Sequence, residues 1–84
     1  MNGPEGWKNE GNAIIKEFKL GKYADHLAFV NLVGRISDRH DHHPDIVLTY
    51  PSVRVLLSTH TANAVTEKDV ALAKEIDKVA EMFG

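Results

Sequence analysis

Ile46-Val47-Leu48-Thr49-Tyr50-Pro51-Ser52-Val53-Arg54-Val55-Leu56-Leu57-Ser58-Thr59-His60 is the stretch whose reading decides the fold. It is rich in β-branched and aliphatic residues and is interrupted once, by Pro51-Ser52, a pair that favours a tight turn. It therefore reads as two strands, 46–50 and 53–60. Side chains alternate across a strand, so Val53, Val55, Leu57 and Thr59 point one way. Arg54, Leu56, Ser58 and His60 point the other. One face of this hairpin is apolar and needs cover. The cover follows directly: Thr66-Glu67-Lys68-Asp69 has the form of a capping box that opens a helix. Val70, Ala73, Ile76, Val79, Ala80 and Phe83 continue it at helical spacing.

Working outward to the N-terminus, the first half repeats the scheme. Residues 1–6, with Gly3, Pro4 and Gly6, read as a frayed or truncated end. Trp7 and Lys8 begin a short strand, and Asn9-Glu10-Gly11-Asn12 reads as a turn. Residues 13–20 form a strand with Ile14, Phe18 and Leu20 on one side, and Lys16 breaks that apolar side. From Lys22 to Arg39 the periodicity is helical. Tyr23, Leu27, Val30, Val33 and Gly34 share one face, while Ala28, Phe29, Leu32 and Ile36 form a second, roughly opposite. A helix covering a small sheet needs only one apolar stripe. The second stripe predicts a subunit interface. The order is β-β-α-β-β-α, an α+β fold with one four-stranded antiparallel sheet and the helices packed on one face.

Composition narrows the function classes. Eighty-four residues, 1–84, make one domain. Apolar residues at 43% and charged residues at 26% exclude a disordered tail. Ten basic against twelve acidic residues give a net charge of −2, without the basic excess of a nucleic-acid binder. No apolar run is long enough for a membrane span. Cysteine is absent, which removes disulfides, thiolate metal sites and cysteine nucleophiles. Met1-Asn2-Gly3-Pro4 lacks the basic and apolar regions of a secretion signal. A cytoplasmic location is expected, with the nucleus as an alternative to it and secretion excluded.

Four of the five histidines fall within residues 40–60. Asp41-His42-His43-Pro44 forms a loop, because the residue before a proline avoids the helical region. His60 ends a strand on its more polar face. Three readings stay open for His42, His43 and His60. A metal site is disfavoured, because adjacent histidines diverge on regular structure and no His-Glu-x-x-His spacing exists. Metal-free acid/base chemistry suits imidazoles that titrate near neutral pH, and fits dehydration or tautomerisation. Solvated surface histidines are the third reading. His26, near the core edge of the first helix, and His40, at its frayed end, are expected to have no part in a site.

The pattern Asp38, three residues, His42-His43-Pro44, then Tyr50, His60 and Asp69 resembles the pterin-4a-carbinolamine dehydratase family. Seven positions match over residues 38–69, and the likeness extends over residues 7–83. Ala13-Ile14-Ile15-Lys16-Glu17-Phe18 and Ser58-Thr59-His60 also resemble family segments. The resemblance implies dehydration of 4a-hydroxytetrahydropterin to quinonoid dihydropterin, in tetrahydropterin recycling, with no metal and no organic cofactor. It implies His42, His43 and His60 as catalytic residues. Substrate contacts are implied at Asp41, His42, His43, Ser58, Thr59, His60 and Thr61, with Asp38 and Trp7 at the site's edge. A homodimer or homotetramer is implied, with a small-molecule pterin as partner and no direct nucleic-acid or membrane contact. Family members carry an N-terminal helix that is expected to be absent here, and the chain departs from the family at Ile46, Leu48 and Ala64. The alternatives are a dimerisation cofactor of a transcription factor, acting through the outer helix face, and a non-catalytic pterin-binding protein.

Overall fold

The structure, a computed structural model, describes residues 1–83. Strands β1 (Lys8–Glu10) and β2 (Ala13–Phe18) precede helix α1 (Tyr23–His40). Strands β3 (Asp45–Leu48) and β4 (Val53–Leu57) precede helix α2 (Glu67–Ala80), and a short 3-10 turn, Glu81–Phe83, follows. The sheet is antiparallel throughout, in the order β1-β2-β4-β3. The two halves thus meet through their second strands.

Register follows from the apolar pattern. Ile14 stands opposite Leu57, Phe18 opposite Val53, and Ile46 opposite Val55, so every apolar inward residue lands on one face. A shift of one residue would turn the whole set to solvent. Ile14, Val53, Val55 and Leu57 are fully buried with Phe29 and Val33 of α1 and Leu72, Ala73 and Ile76 of α2. Phe29 packs against Phe18 with the rings tilted by 46° and 4.9 Å between their centroids. Truncating a buried phenylalanine to alanine costs about 3–5 kcal/mol, a large share of a small domain's stability.

Several boundaries differ from the sequence reading. The turn shrinks from four residues to Gly11-Asn12, and Asn9 and Glu10 pair in β1. Gly11 alone supplies the positive φ, 60°, that a two-residue hairpin loop demands. β2 ends at Phe18, not at residue 20. Lys16 keeps its place on the inward face because its ammonium reaches Asp77 at 2.8 Å and lies 5.0 Å from the Phe18 ring. The stem covers apolar surface while the head finds a carboxylate. Trp7 is buried and its backbone N–H donates to the Pro4 carbonyl, while Met1, Asn2, Glu5 and Gly6 before it are exposed.

The division of α1 into two opposed apolar faces is overturned. Its buried residues are His26, Phe29, Val33, Ile36 and Ser37. At about 100° per residue the buried arc centres between Phe29 and Val33, with Ile36 at one edge and His26 and Ser37 toward the other, and it takes only an edge from each expected stripe. Two polar residues lie within the buried arc because each has a local partner. His26 Nε2 accepts from the Leu20 backbone N–H at 3.1 Å, and Ser37 Oγ donates to the Val33 carbonyl at 2.7 Å. Phe29 and Ile36 are therefore core. The large apolar residues of α1 left outward are Tyr23 and Leu27, each 45% exposed; Ala24 and Ala28 are exposed with them, and Val30 and Leu32 are half-buried.

Candidate active site

Helix α1 ends at Asp41, whose backbone is left-handed at φ 50°, and whose N–H reaches the Asp38 carbonyl at 3.2 Å. Aspartate tolerates this region better than most residues. The next N–H, of His42, returns to the Ser37 carbonyl at 3.2 Å and satisfies another open helix end. The chain then turns sharply, and Pro44 leads it into β3. This reversal presents His42 and His43 at one end of the sheet. His60 arrives from β4, three residues past its end, on the side opposite Leu57.

His42, His43 and His60 line a single cavity of about 430 Å³, together with Asp41, Pro44, Asp45, Thr59, Thr61 and Lys68. That is within the range of small-molecule sites. A smaller cavity of about 190 Å³ adjoins it on the outer sheet face, lined by Asn12, Ala13, Leu56 and Ser58. His43, Asp45 and His60 line both.

The three imidazoles are held differently. His42 is largely buried, and its Nε2 meets Asp69 Oδ1 at 2.5 Å. Asp69 is fully buried. Its other oxygen accepts from Thr59 Oγ1 at 2.7 Å and from the Thr66 backbone N–H at 2.9 Å. A carboxylate surrounded by donors makes His42 Nε2 a donor too. The tautomer is thereby set, and among the described residues Nδ1 is the ring nitrogen left without a hydrogen-bond partner. His43 Nε2 meets Asp38 Oδ1 at 2.9 Å, with both side chains well exposed. His60 is exposed, and among the described residues its ring has no hydrogen-bond partner.

Asp41, Thr59 and Thr61 line the main cavity, Ser58 the adjoining one, and Asp38 stands behind His43. Trp7 lies elsewhere. It is buried in the core, edge-on to Phe18, and its indole N–H is shared between the two Asp77 oxygens at 3.2 and 3.1 Å. An indole finds burial and an acceptor together there. His26 lies in the core, and His40 is bonded to Glu75 at 2.9 Å, not frayed. That bond, helped by the charges of His40, Arg39 and Lys78, holds the Glu75 carboxyl below the usual carboxylate range against the opposing effect of burial.

Sequence reasoning identified Asp69 as a helix-capping residue and a matched motif position, not as the partner of His42. The signal was the capping box: its third helical residue points its carboxylate back past the helix start. Asp45, Pro44 and Lys68 also line the cavity and were not singled out for it.

Comparison with known proteins gives a consistent picture. Residues 1–79 match the family model described as pterin 4 alpha carbinolamine dehydratase. A protein of Sulfolobus acidocaldarius, provisionally assigned as a pterin-4-alpha-carbinolamine dehydratase, is 44% identical over 75 residues, covering 89% of this chain and 82% of that protein. A crystal structure of a transcriptional coactivator/pterin dehydratase from Brucella melitensis superposes with a TM-score of 0.86 at 31% identity, covering 90% of this chain and 83% of that one. A pterin dehydratase-like protein identified as a RuBisCO assembly factor superposes with a TM-score of 0.72 at 25% identity, covering 88% of this chain and 86% of that one.

Proposed function

The chain belongs to the pterin 4 alpha carbinolamine dehydratase family, and on that premise we propose that it dehydrates 4a-hydroxytetrahydropterin to quinonoid dihydropterin, as a hydro-lyase in tetrahydropterin recycling. The observation that carries this reading is the convergence of His42, His43 and His60 on one cavity, with His42 oriented by a buried carboxylate.

The reaction needs two proton transfers and no redox change. The bond between C4a and its hydroxyl oxygen breaks, and the oxygen takes the electron pair and a proton from an imidazolium, leaving as water. The lone pair of a ring nitrogen forms the new double bond, and the proton on that nitrogen passes to a neutral imidazole. Two histidines suit these roles at neutral pH. His42 and His60 are assigned as the acid/base pair, and their order is interchangeable between substrate stereoisomers. His43, braced by Asp38, holds the pterin, and Asp41, Ser58, Thr59 and Thr61 contribute substrate contacts. The proton economy of the step calls for no metal and no organic cofactor. We assign the active unit as a homodimer or homotetramer in the cytoplasm.

The test is single-turnover dehydration followed by ultraviolet absorbance, for the unmodified protein, His42→Ala, His60→Ala and the pair. Each single substitution should lower turnover by about 10²–10⁴-fold. The double should fall short of the product of the two, because residues acting as a unit are non-additive. Near-normal rates in both single variants, with melting unchanged, would place the chemistry elsewhere. No turnover by the unmodified protein would favour a binding or assembly role, such as the one named for its RuBisCO-associated structural relative.

A further inference from the structure

His60 stands at the start of an outward loop, 60–64, whose residues are all exposed. Apolar packing therefore does little to hold it. The loop's ends are joined by an isolated bridge, in which the Thr59 N–H donates to the Ala64 carbonyl at 3.0 Å. Within it the Ala62 N–H donates to the Thr59 carbonyl at 3.1 Å, and the Asn63 N–H donates to the His60 carbonyl at 3.1 Å. Asn63 is left-handed at φ 51°, a conformation that asparagine and glycine accept readily.

Among the described residues, one side-chain bond ties this loop to the rest of the protein. Asn12 Nδ2, in the β1–β2 turn, donates to Asn63 Oδ1 at 2.7 Å. The Asn12 carbonyl in turn accepts from Ser58 Oγ at 2.7 Å. The contacts form a closed circuit: Asn12 to Asn63, Asn63 to the His60 backbone, along the chain to Ser58, and back to Asn12. His60 sits inside the circuit while its ring remains without a partner of its own. We infer that Asn63, anchored by Asn12, is a positioning residue that holds the His60 backbone so that its imidazole projects over the cavity. This rests on the reading of His60 as one of the acid/base pair.

The circuit is exposed, so losing it does little to global stability, since one hydrogen bond contributes about 0.5–1.5 kcal/mol net. Its effect on a reacting group is larger, because small misplacements of such a group slow the chemical step by up to about 10²-fold. Asn63→Gly keeps the left-handed backbone and removes the acceptor. It should lower kcat by about 10-fold with KM within about twofold. Asn63→Asp keeps both the acceptor and the backbone preference and should restore kcat. Asn12→Ala removes the same bond from the other side, so Asn12→Ala and Asn63→Gly together should be no slower than either alone. Nuclear magnetic resonance gives a readout independent of turnover: the His60 ring and backbone signals should broaden or shift in Asn63→Gly and recover in Asn63→Asp. Unchanged His60 signals in both Asn63→Gly and Asn12→Ala would overturn the inference. So would normal kcat in both variants while His60→Ala is slow. Full turnover by His60→Ala would instead overturn the role of His60, leaving the resonance data to decide the positioning alone.

Discussion

Asp69→Asn separates the structural from the chemical role of the buried carboxylate. Asparagine has nearly the same shape, so no cavity forms. Its amide oxygen still accepts from Thr59 Oγ1 and the Thr66 N–H, which lie 2.7 and 2.9 Å from one oxygen of Asp69. The amide nitrogen then faces His42 Nε2, where a carboxylate oxygen had stood at 2.5 Å. Two donors cannot share that contact, so His42 must take the other tautomer, with its proton on Nδ1. Each of three charge-assisted bonds, worth about 1.5–3 kcal/mol, becomes a neutral one worth about 0.5–1.5, and the lower cost of burying a neutral amide offsets part of that loss, leaving a net loss of about 1–3 kcal/mol. In a domain of this size each kcal/mol shifts Tm by about 4–8 °C. Turnover should fall further than folding suggests, by about 10²–10⁴-fold, because the nitrogen needed for proton transfer presents the wrong state. The assay is single-turnover dehydration at a temperature well below the variant's own melting point. A folded Asp69→Asn protein with near-normal turnover would refute the reasoning, since His42 would then not depend on its tautomer.

The exposed apolar side chains of α1 give a second test: Tyr23→Lys with Leu27→Lys should yield smaller species by light scattering, with the fold retained. An unmodified protein that is monomeric at micromolar concentration would remove the interface from this stripe. Glu75 gives a pH dependence of known sign. Its folded carboxyl is held low, chiefly by the hydrogen bond from His40, so its contribution to stability is present above the ordinary glutamate range and is lost as pH falls through the folded value. Glu75→Gln should therefore melt slightly below the unmodified protein at pH 7, with the gap closing as pH falls through the folded value, and a gap that stays constant as the carboxyl is protonated would contradict this.

The strands were legible because their signal is local. Val53, Val55 and Leu57 alternate with Arg54 and Leu56, and that pattern alone turns one face inward. The face of α1 was not, because a count of apolar residues passes over His26 and Ser37. Both are buried by bonds to backbone groups that no periodicity displays. Trp7 failed for a similar reason. Its place depends on Asp77, seventy residues away, and on a Lys16 that looked like an error in the strand pattern. In each case a polar group was buried by a specific partner, and composition does not encode partners.

Asp69 carries that point to the site. As the third residue of α2 it accepts from the Thr66 N–H and closes a helix end, a role readable from four consecutive residues. The same carboxylate receives Thr59 from the end of β4 and His42 from the loop after α1. Helix α2, the approach to His60 and the base of His42 thus meet at one buried group. A buried carboxylate without these donors would be strongly unfavourable, so each partner depends on the others being in place. The contact that docks the start of α2 against the end of the sheet is therefore also the one that orients the His42 ring.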